Sequence, residues 1–227
     1  HALLMKAGLD VTSAEWMKLV PFIAPAARLG AIRAKLLDTD GTTDEFFPLT
    51  ALAATFDAVP GGDKRLSLAG NFDHGCYLVT GGEPKGTIED RASLHLDGTR
   101  KMWMRHHLAG DARFPTVPAA PSVAVQPVQG AIFVAATVDA GGPGYAIDEV
   151  RFWASNDDAF FWLSAALDKN NATTYSKLLP LPLQANTIYY VDVQYRTIDT
   201  LDRFALSSRP QIPPGFVPHI RGDSNCQ

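Results

Sequence analysis

The sequence predicts an α/β stretch over residues 1–115, followed by an immunoglobulin-like β-sandwich over residues 122–209. Three observations carry this reading. Strand-like apolar runs alternate with helical periodicity through the first half, the pattern of a parallel α/β layer. A stiff proline-rich connector, residues 116–121 (Thr116-Val117-Pro118-Ala119-Ala120-Pro121), then marks a linker. Beyond it the helical patterns vanish, and six or seven short β-type runs follow within about 90 residues, which is the spacing of an antiparallel sandwich. Residues 210–227 read as an irregular tail.

In the first half, Ala2–Ala7 is an apolar run ending at Gly8 and reads as a strand. Ser13 offers an N-cap, with Glu15 in the first turn of a helix through Val20. Ile32–Leu37 is the second strand. Leu49–Ala58 has helical periodicity, opens after Pro48 and stops at Pro60-Gly61-Gly62. Lys64–Ala69 is the third strand. Glu89–Leu108 contains a longer helix, with Leu94, Trp103 and Leu108 as core positions. In the second half the β runs are Ser122–Val128, Ala131–Val138, Ile147–Ala154, Phe160–Ser164, Thr187–Tyr195 and Arg203–Ser208. Gly141-Gly142-Pro143-Gly144 and Asp168-Lys169-Asn170-Asn171 mark turns.

Composition sets several functions aside. Of 227 residues, 20 are basic and 24 acidic, with a net charge of −4 and no basic run of the kind that tracks a phosphate backbone, which argues against nucleic-acid binding. No uninterrupted apolar stretch approaches the roughly 18 residues that span a bilayer, which argues against a membrane partner. The 18 glycines and 16 prolines describe a loop-rich globular chain. His1 opens the chain without a signal-peptide pattern, as if it were cut from something longer. Cys76 and Cys226 stand far apart in no metal-ligand spacing; both two free thiols and one disulfide tying the tail to the Cys76 loop are open.

The chemistry concentrates between Leu36 and Tyr77. One strand ends in Asp38-Thr39-Asp40-Gly41-Thr42-Thr43-Asp44-Glu45-Phe46-Phe47-Pro48. Some 30 residues on, another ends in Gly70-Asn71-Phe72-Asp73-His74-Gly75. Loops at the carboxyl ends of parallel strands meet ligands, and consecutive strands set Asp44 and His74 at one edge. An acid that orients a histidine is the supporting pair of a Ser-His-Asp triad, in which the histidine takes and returns the serine proton. Asp38, Asp40 and Glu45 are competing carboxylates, and a helix-capping turn is the structural alternative for Asp44. Asp73 reads as a solvated or turn residue.

These loops resemble α/β-hydrolases. Gly41-Thr42-Thr43-Asp44-Glu45-Phe46-Phe47-Pro48 is similar to their acid loop, Asn71-Phe72-Asp73-His74-Gly75 to their histidine loop, and Met102–Gly110 to their last helix. The nearest resemblance is to PhoPQ-activated pathogenicity-related and acetyl-xylan-esterase-like proteins, in which a β-sandwich can follow. It covers residues 1–118 well and the sandwich loosely. The resemblance implies the C-terminal part of an α/β-hydrolase sheet and a serine hydrolase, preferably a carboxylic ester hydrolase. It also implies catalytic Asp44 and His74, no cofactor, no metal, and secretion or a periplasmic location in a bacterium. The expected partners are a small-molecule or polysaccharide ester and the segment, or other copy, that brings the serine. Those enzymes carry their serine on a Gly-x-Ser-x-Gly elbow ahead of the acid. No such elbow occurs in this chain, so the resemblance places the nucleophile elsewhere.

Other readings stand beside this one. A non-catalytic module would bind carbohydrate or protein through the sandwich, with Phe152, Trp153, Phe160, Phe161 and Trp162 as either core or a sugar-stacking row. Cys76 as nucleophile sits too close to His74 on one loop for the hydrogen bond it needs. His106-His107 point in different directions on a helix, without a third ligand at metal spacing. His95 and His219 belong to no motif. Asn171-Ala172-Thr173 matches a glycosylation acceptor, and Arg221-Gly222-Asp223 reads as flexible tail.

Overall fold

The computed structural model describes residues 25–44, 47–73 and 85–217, together with Ser13, Ala14 and Lys18. The expected strand Ala2–Ala7, most of the helix from Ser13 to Val20, His74, Cys76, His219 and Cys226 lie outside the described residues. The described chain is mostly β-structure in two sheets, flanked by a few helices. Its strands are β1 (Leu36–Gly41), β2 (Lys64–Ala69), β3 (Ser122–Val128), β4 (Ala131–Thr137), β5 (Tyr145–Ser155), β6 (Leu163–Ala166), β7 (Asp168–Lys169), β8 (Thr174–Leu179), β9 (Ile188–Thr197) and β10 (Arg203–Ser207). Six strands form one sheet in the order β1-β2-β10-β9-β5-β6, and four form the other in the order β3-β4-β8-β7.

β1 and β2 pair in parallel and are joined through helix α1 (Leu49–Ala58), giving a βαβ unit. The expected bounds of α1 and β2 are met. β1 instead begins four residues later than the expected Ile32. Its register explains this. Leu36 lies opposite Lys64, the first residue of β2, and the Leu36 N–H donates to Asp63 O just ahead of that strand. The ladder cannot start until β2 does, and the preceding Pro25–Ala31 is a 3₁₀ turn closed by Ile32 N–H to Leu29 O.

α1 turns Leu49 and Leu52 onto Leu66 and Leu68 of β2 and onto Trp153, Trp162 and Tyr190 from the second half. The opposite face of β2 is covered by α2. This long helix runs through Lys85–Ala92, a π-helical segment Ser93–Gly98, a regular segment Thr99–Met104 and a second π-helical segment Arg105–Ala109. Leu94 and Trp103 are buried as expected. Leu108 is 75% exposed, because the last turn runs on past the sheet and stops at Gly110 in the left-handed conformation.

In the second half the two sheets close on Ile132, Val134 and Ala136 of β4 against Phe152, Val191, Val193, Tyr195 and Phe204. This supports the expected sandwich character. β8 has no counterpart among the expected runs, because Lys177 occupies an inward position opposite Val134. Its ammonium group reaches the Ala166 carbonyl at 3.0 Å and Asp168 at 3.2 Å, while its stem fills the apolar position. Phe152, Trp153 and Trp162 are each 1% exposed, so these rings pack the interior and offer no face to a sugar.

The two stretches share one sheet. β10 bonds antiparallel to β2, with Ser207 opposite Leu66, and the Leu68 N–H donates to Ser207 Oγ at 2.9 Å. The parallel pair is therefore continuous with the antiparallel strands of the sandwich, as in other mixed sheets.

Candidate functional site

The carboxyl ends of β1 and β2 emerge side by side. Gly41 lies opposite Ala69, and three hydrogen bonds then hold the two loops together. The Thr42 N–H donates to Ala69 O at 3.0 Å and the Thr43 N–H to Phe72 O at 3.1 Å. In return, the Asn71 N–H donates to Thr42 Oγ1 at 2.9 Å. The chain segments leading to Asp44 and to His74 thus leave the sheet as one cross-linked edge. Asp44 itself is buried, with Oδ1 accepting the Phe47 N–H at 2.8 Å just ahead of α1. That is a turn role for Asp44, and it leaves the rest of the carboxyl group to a second partner. Asp73, expected as a solvated or turn residue, is buried at 6% exposure, so it is not solvated.

The second partner is Asp40. Its side chain hydrogen-bonds to Asp44, and its Oδ1 accepts the Gly41 N–H at 2.8 Å. Burial, the hydrogen bond to Asp44 and the Asp44 charge push the Asp40 carboxyl up to about 9. Burial also raises Asp38. Two carboxyl groups this close share a proton more readily than they both ionise. At about 9, the Asp40 carboxyl keeps its proton at neutral pH. Sequence reading named Asp40 only as a competitor; the pair is instead a unit. Asp38, Asp40, Asp44 and Asp73 line a cavity of about 710 Å³ at this edge, together with Phe47, Phe72 and Arg100. Among the described residues no group of three His, Cys, Asp or Glu has the geometry to hold a metal ion.

The unfolded Asp40 titrates near 4 and the folded one near 9, so between these values the folded chain holds a proton that the unfolded chain has lost. The stabilisation from that proton is complete below about 4 and is lost progressively as pH rises toward about 9. Asp40→Asn keeps an amide donor for Asp44 and has no proton to lose. Relative to the parent chain, it should gain stability between pH 5 and pH 8.5 in paired urea titrations. A stability difference that stays flat across that range would refute the protonated assignment.

A second constellation escaped sequence reading altogether. Ser67 Oγ of β2 lies 3.0 Å from His95 Nδ1, and His95 Nε2 lies 3.0 Å from Asp192 Oδ2. The Ser67 and His95 pair is well aligned, whereas the His95 and Asp192 pair is at ion-pair distance but out of line for a hydrogen bond. The order of partners is that of a catalytic triad, yet all three residues are 0% exposed. No substrate reaches them, and their role is structural. Asp192 Oδ1 accepts the Trp153 Nε1–H at 3.1 Å. Thr99, 3.3 Å from Ser67 Oγ, donates its hydroxyl to Ala205 O at 2.7 Å and accepts the Ala205 N–H at 3.1 Å. The network ties the π-helical segment of α2 to β2, β10, β9 and β5. Tyr190 OH is buried beside it without a hydrogen-bond partner among the described residues, and burial and the Asp192 charge hold its phenol far above the usual range. The signal available in the sequence was His95, a lone histidine four residues from Thr99 on one helix face. Its partner Asp192 sits in a β-branched and aromatic strand where nothing local marks it.

No family model matches this sequence, and no curated protein matches it. Among solved structures, the chicken interferon gamma receptor alpha chain is similar over 41% of this chain and 50% of that chain, at 14% identity and a TM-score of 0.29. The match thus spans half the length of the receptor chain. A superposition that loose carries no weight for the fold, which rests on the two sheets described above.

Proposed function

We propose that this chain is the C-terminal portion of a serine hydrolase, of the carboxylic ester hydrolase kind. In this reading β1 and β2 are the last strands of an α/β-hydrolase sheet. Asp44 is the triad acid and His74 the base. The serine comes from a segment outside this chain or from another copy, the substrate is a small-molecule or polysaccharide ester, and the protein works outside the cytoplasm. One observation supports the proposal: the parallel β1–β2 pair, cross-linked through Thr42, Thr43, Asn71 and Phe72, brings the segments that lead toward Asp44 and toward His74 out of one sheet edge. The buried Asp44, supplied with donors from Phe47 and Asp40, supports it as a carboxylate held in one orientation.

In such a triad the acid fixes the imidazole tautomer and stabilises the imidazolium that forms when the serine proton is taken. The isolated chain should therefore turn over p-nitrophenyl acetate negligibly. Co-expression with the polypeptide encoded directly upstream should restore cleavage. In that reconstituted protein His74→Ala should lose about a thousandfold or more of the rate, and Asp44→Asn a comparable factor. Full activity of the His74→Ala protein would sink the assignment.

A further inference from the structure

We propose that Asn71 is a positioning residue through which the loop between β5 and β6 fixes the end of β2 that leads to His74. The inference deepens the hydrolase reading, since it rests on His74 as the base of that site.

Asn71 is one of four non-glycine residues with positive φ, at 57°, among the described residues. Asparagine tolerates that left-handed conformation better than most side chains, but the backbone alone would be served equally by glycine. What glycine could not supply is the side-chain amide. Asn71 Nδ2–H donates to Trp162 O at 2.9 Å, and Asn71 Oδ1 accepts the Trp162 N–H at 2.8 Å. The amide thus pairs with both main-chain groups of a single residue, as a neighbouring strand would. Asn71 is 1% exposed, so the two bonds are shielded from water.

The partner loop is itself rigidly wired. Ser155 Oγ donates to Asp157 Oδ1 at 2.6 Å, and the same carboxylate oxygen accepts the Phe161 N–H at 3.0 Å. The Trp162 indole N–H caps Ala159 O at 3.2 Å while its ring packs in the core with Tyr190 and Leu52. Asp158 and Ala159 both take positive φ, 58° and 67°. A loop held this way offers a fixed anchor, and Asn71 carries that fixity to the end of β2 and the residues just after it, up to Asp73. On the other side the Asn71 N–H reaches Thr42 of the acid loop. One residue therefore touches the acid loop with its backbone and the sandwich with its side chain. The sandwich half becomes a structural support of the site in place of a separate binding module.

Three variants of the full chain test this. Asn71→Gly keeps the left-handed backbone and removes the amide. Asn71→Asp keeps the shape and the acceptor for the Trp162 N–H but loses the Nδ2 donor. Asp44→Asn removes the acid. The readouts are far-UV circular dichroism, amide hydrogen exchange at Trp162, and the NMR titration of the His74 ring. Asn71→Gly should retain the folded spectrum, speed Trp162 exchange about tenfold or more and move the His74 titration midpoint by at least about 0.3 pH units. Asn71→Asp should fall between it and the parent. Unchanged Trp162 exchange in Asn71→Gly would overturn the clamp, and an unmoved His74 titration in a folded Asn71→Gly chain would overturn the positioning role. Asp44→Asn judges the hydrolase reading separately: if it leaves the His74 titration where it was, the acid–histidine pair fails while the Asn71 result stands on its own.

Discussion

Asp192→Ala should cost roughly 3–5 kcal/mol of stability, because a buried indole donor loses its acceptor and the deleted side chain leaves a cavity. Domains hold only about 5–15 kcal/mol in total, so the variant should lower the melting temperature by roughly 10–15 °C or fail to accumulate folded. The cost has a specific origin. The carboxylate is fully buried in β9, takes the Trp153 indole N–H on one oxygen and faces His95 with the other. Without it the Trp153 indole N–H is left in the interior without its acceptor, at about 1–3 kcal/mol for an unsatisfied buried donor, and His95 Nε2 loses the carboxyl group that faces it. A measured loss below about 1 kcal/mol would mean that the His95 and Asp192 contact is incidental.

Asp192→Asn is the informative companion. It preserves the volume and an acceptor for Trp153 but not the charge facing His95. A double-mutant cycle with His95→Gln therefore isolates the coupling between the two side chains. The network joins α2 and β2 of the first stretch to β9 and β5 of the second. Tryptophan fluorescence and far-UV circular dichroism should thus report one coincident transition for the parent chain.

How far this was legible from the sequence depended on whether each feature was local. α1 and β2 were read to the residue because Pro48, Pro60, Gly61 and Gly62 punctuate them and no tertiary partner overrides the local pattern. β1 was read early by four residues, since its start is set by where β2 begins, which is a long-range fact. β8 was missed because an inward lysine breaks the apolar alternation. That the loops after β1 and β2 leave one sheet edge was legible from the strand order, but Asp40 as partner of Asp44 was not: a raised carboxyl depends on burial, which residue type does not encode. Asp192 and Asn71 were invisible for the same reason. Each is an ordinary polar residue whose meaning comes from what the fold places within 3 Å of it, in one case 97 residues away at His95 and in the other 91 residues away at Trp162.

Gly41→Ala should separate the two loops of the candidate site. Gly41 needs no unusual backbone angle; it is required by close approach. A methyl group there would sit 2.1 Å from Phe72 O and 2.7 Å from the Phe72 carbonyl carbon, which are main-chain atoms that cannot rotate away. Relief therefore has to come from pushing the loop after β1 off the loop after β2. That motion strains the Thr43 N–H to Phe72 O and Asn71 N–H to Thr42 Oγ1 hydrogen bonds together. Overpacking of a close-packed site costs about 1–3 kcal/mol, and this position belongs at the upper end because no flexible side chain absorbs the strain. The consequence for chemistry is larger than for stability. If the proposed hydrolase reading holds, a displacement of about 1 Å between catalytic groups can cost a hundredfold in rate, and the reconstituted protein of that proposal should lose about that factor in ester hydrolysis while remaining folded. Gly62→Ala is the matched control, since nothing lies within 4 Å of a methyl group added there, and it should leave both stability and rate unchanged. Gly41→Ala behaving like Gly62→Ala in both measurements would show that the two loops do not depend on their close packing, and the reading of this edge as a single pre-organised acid–histidine site would fall with it.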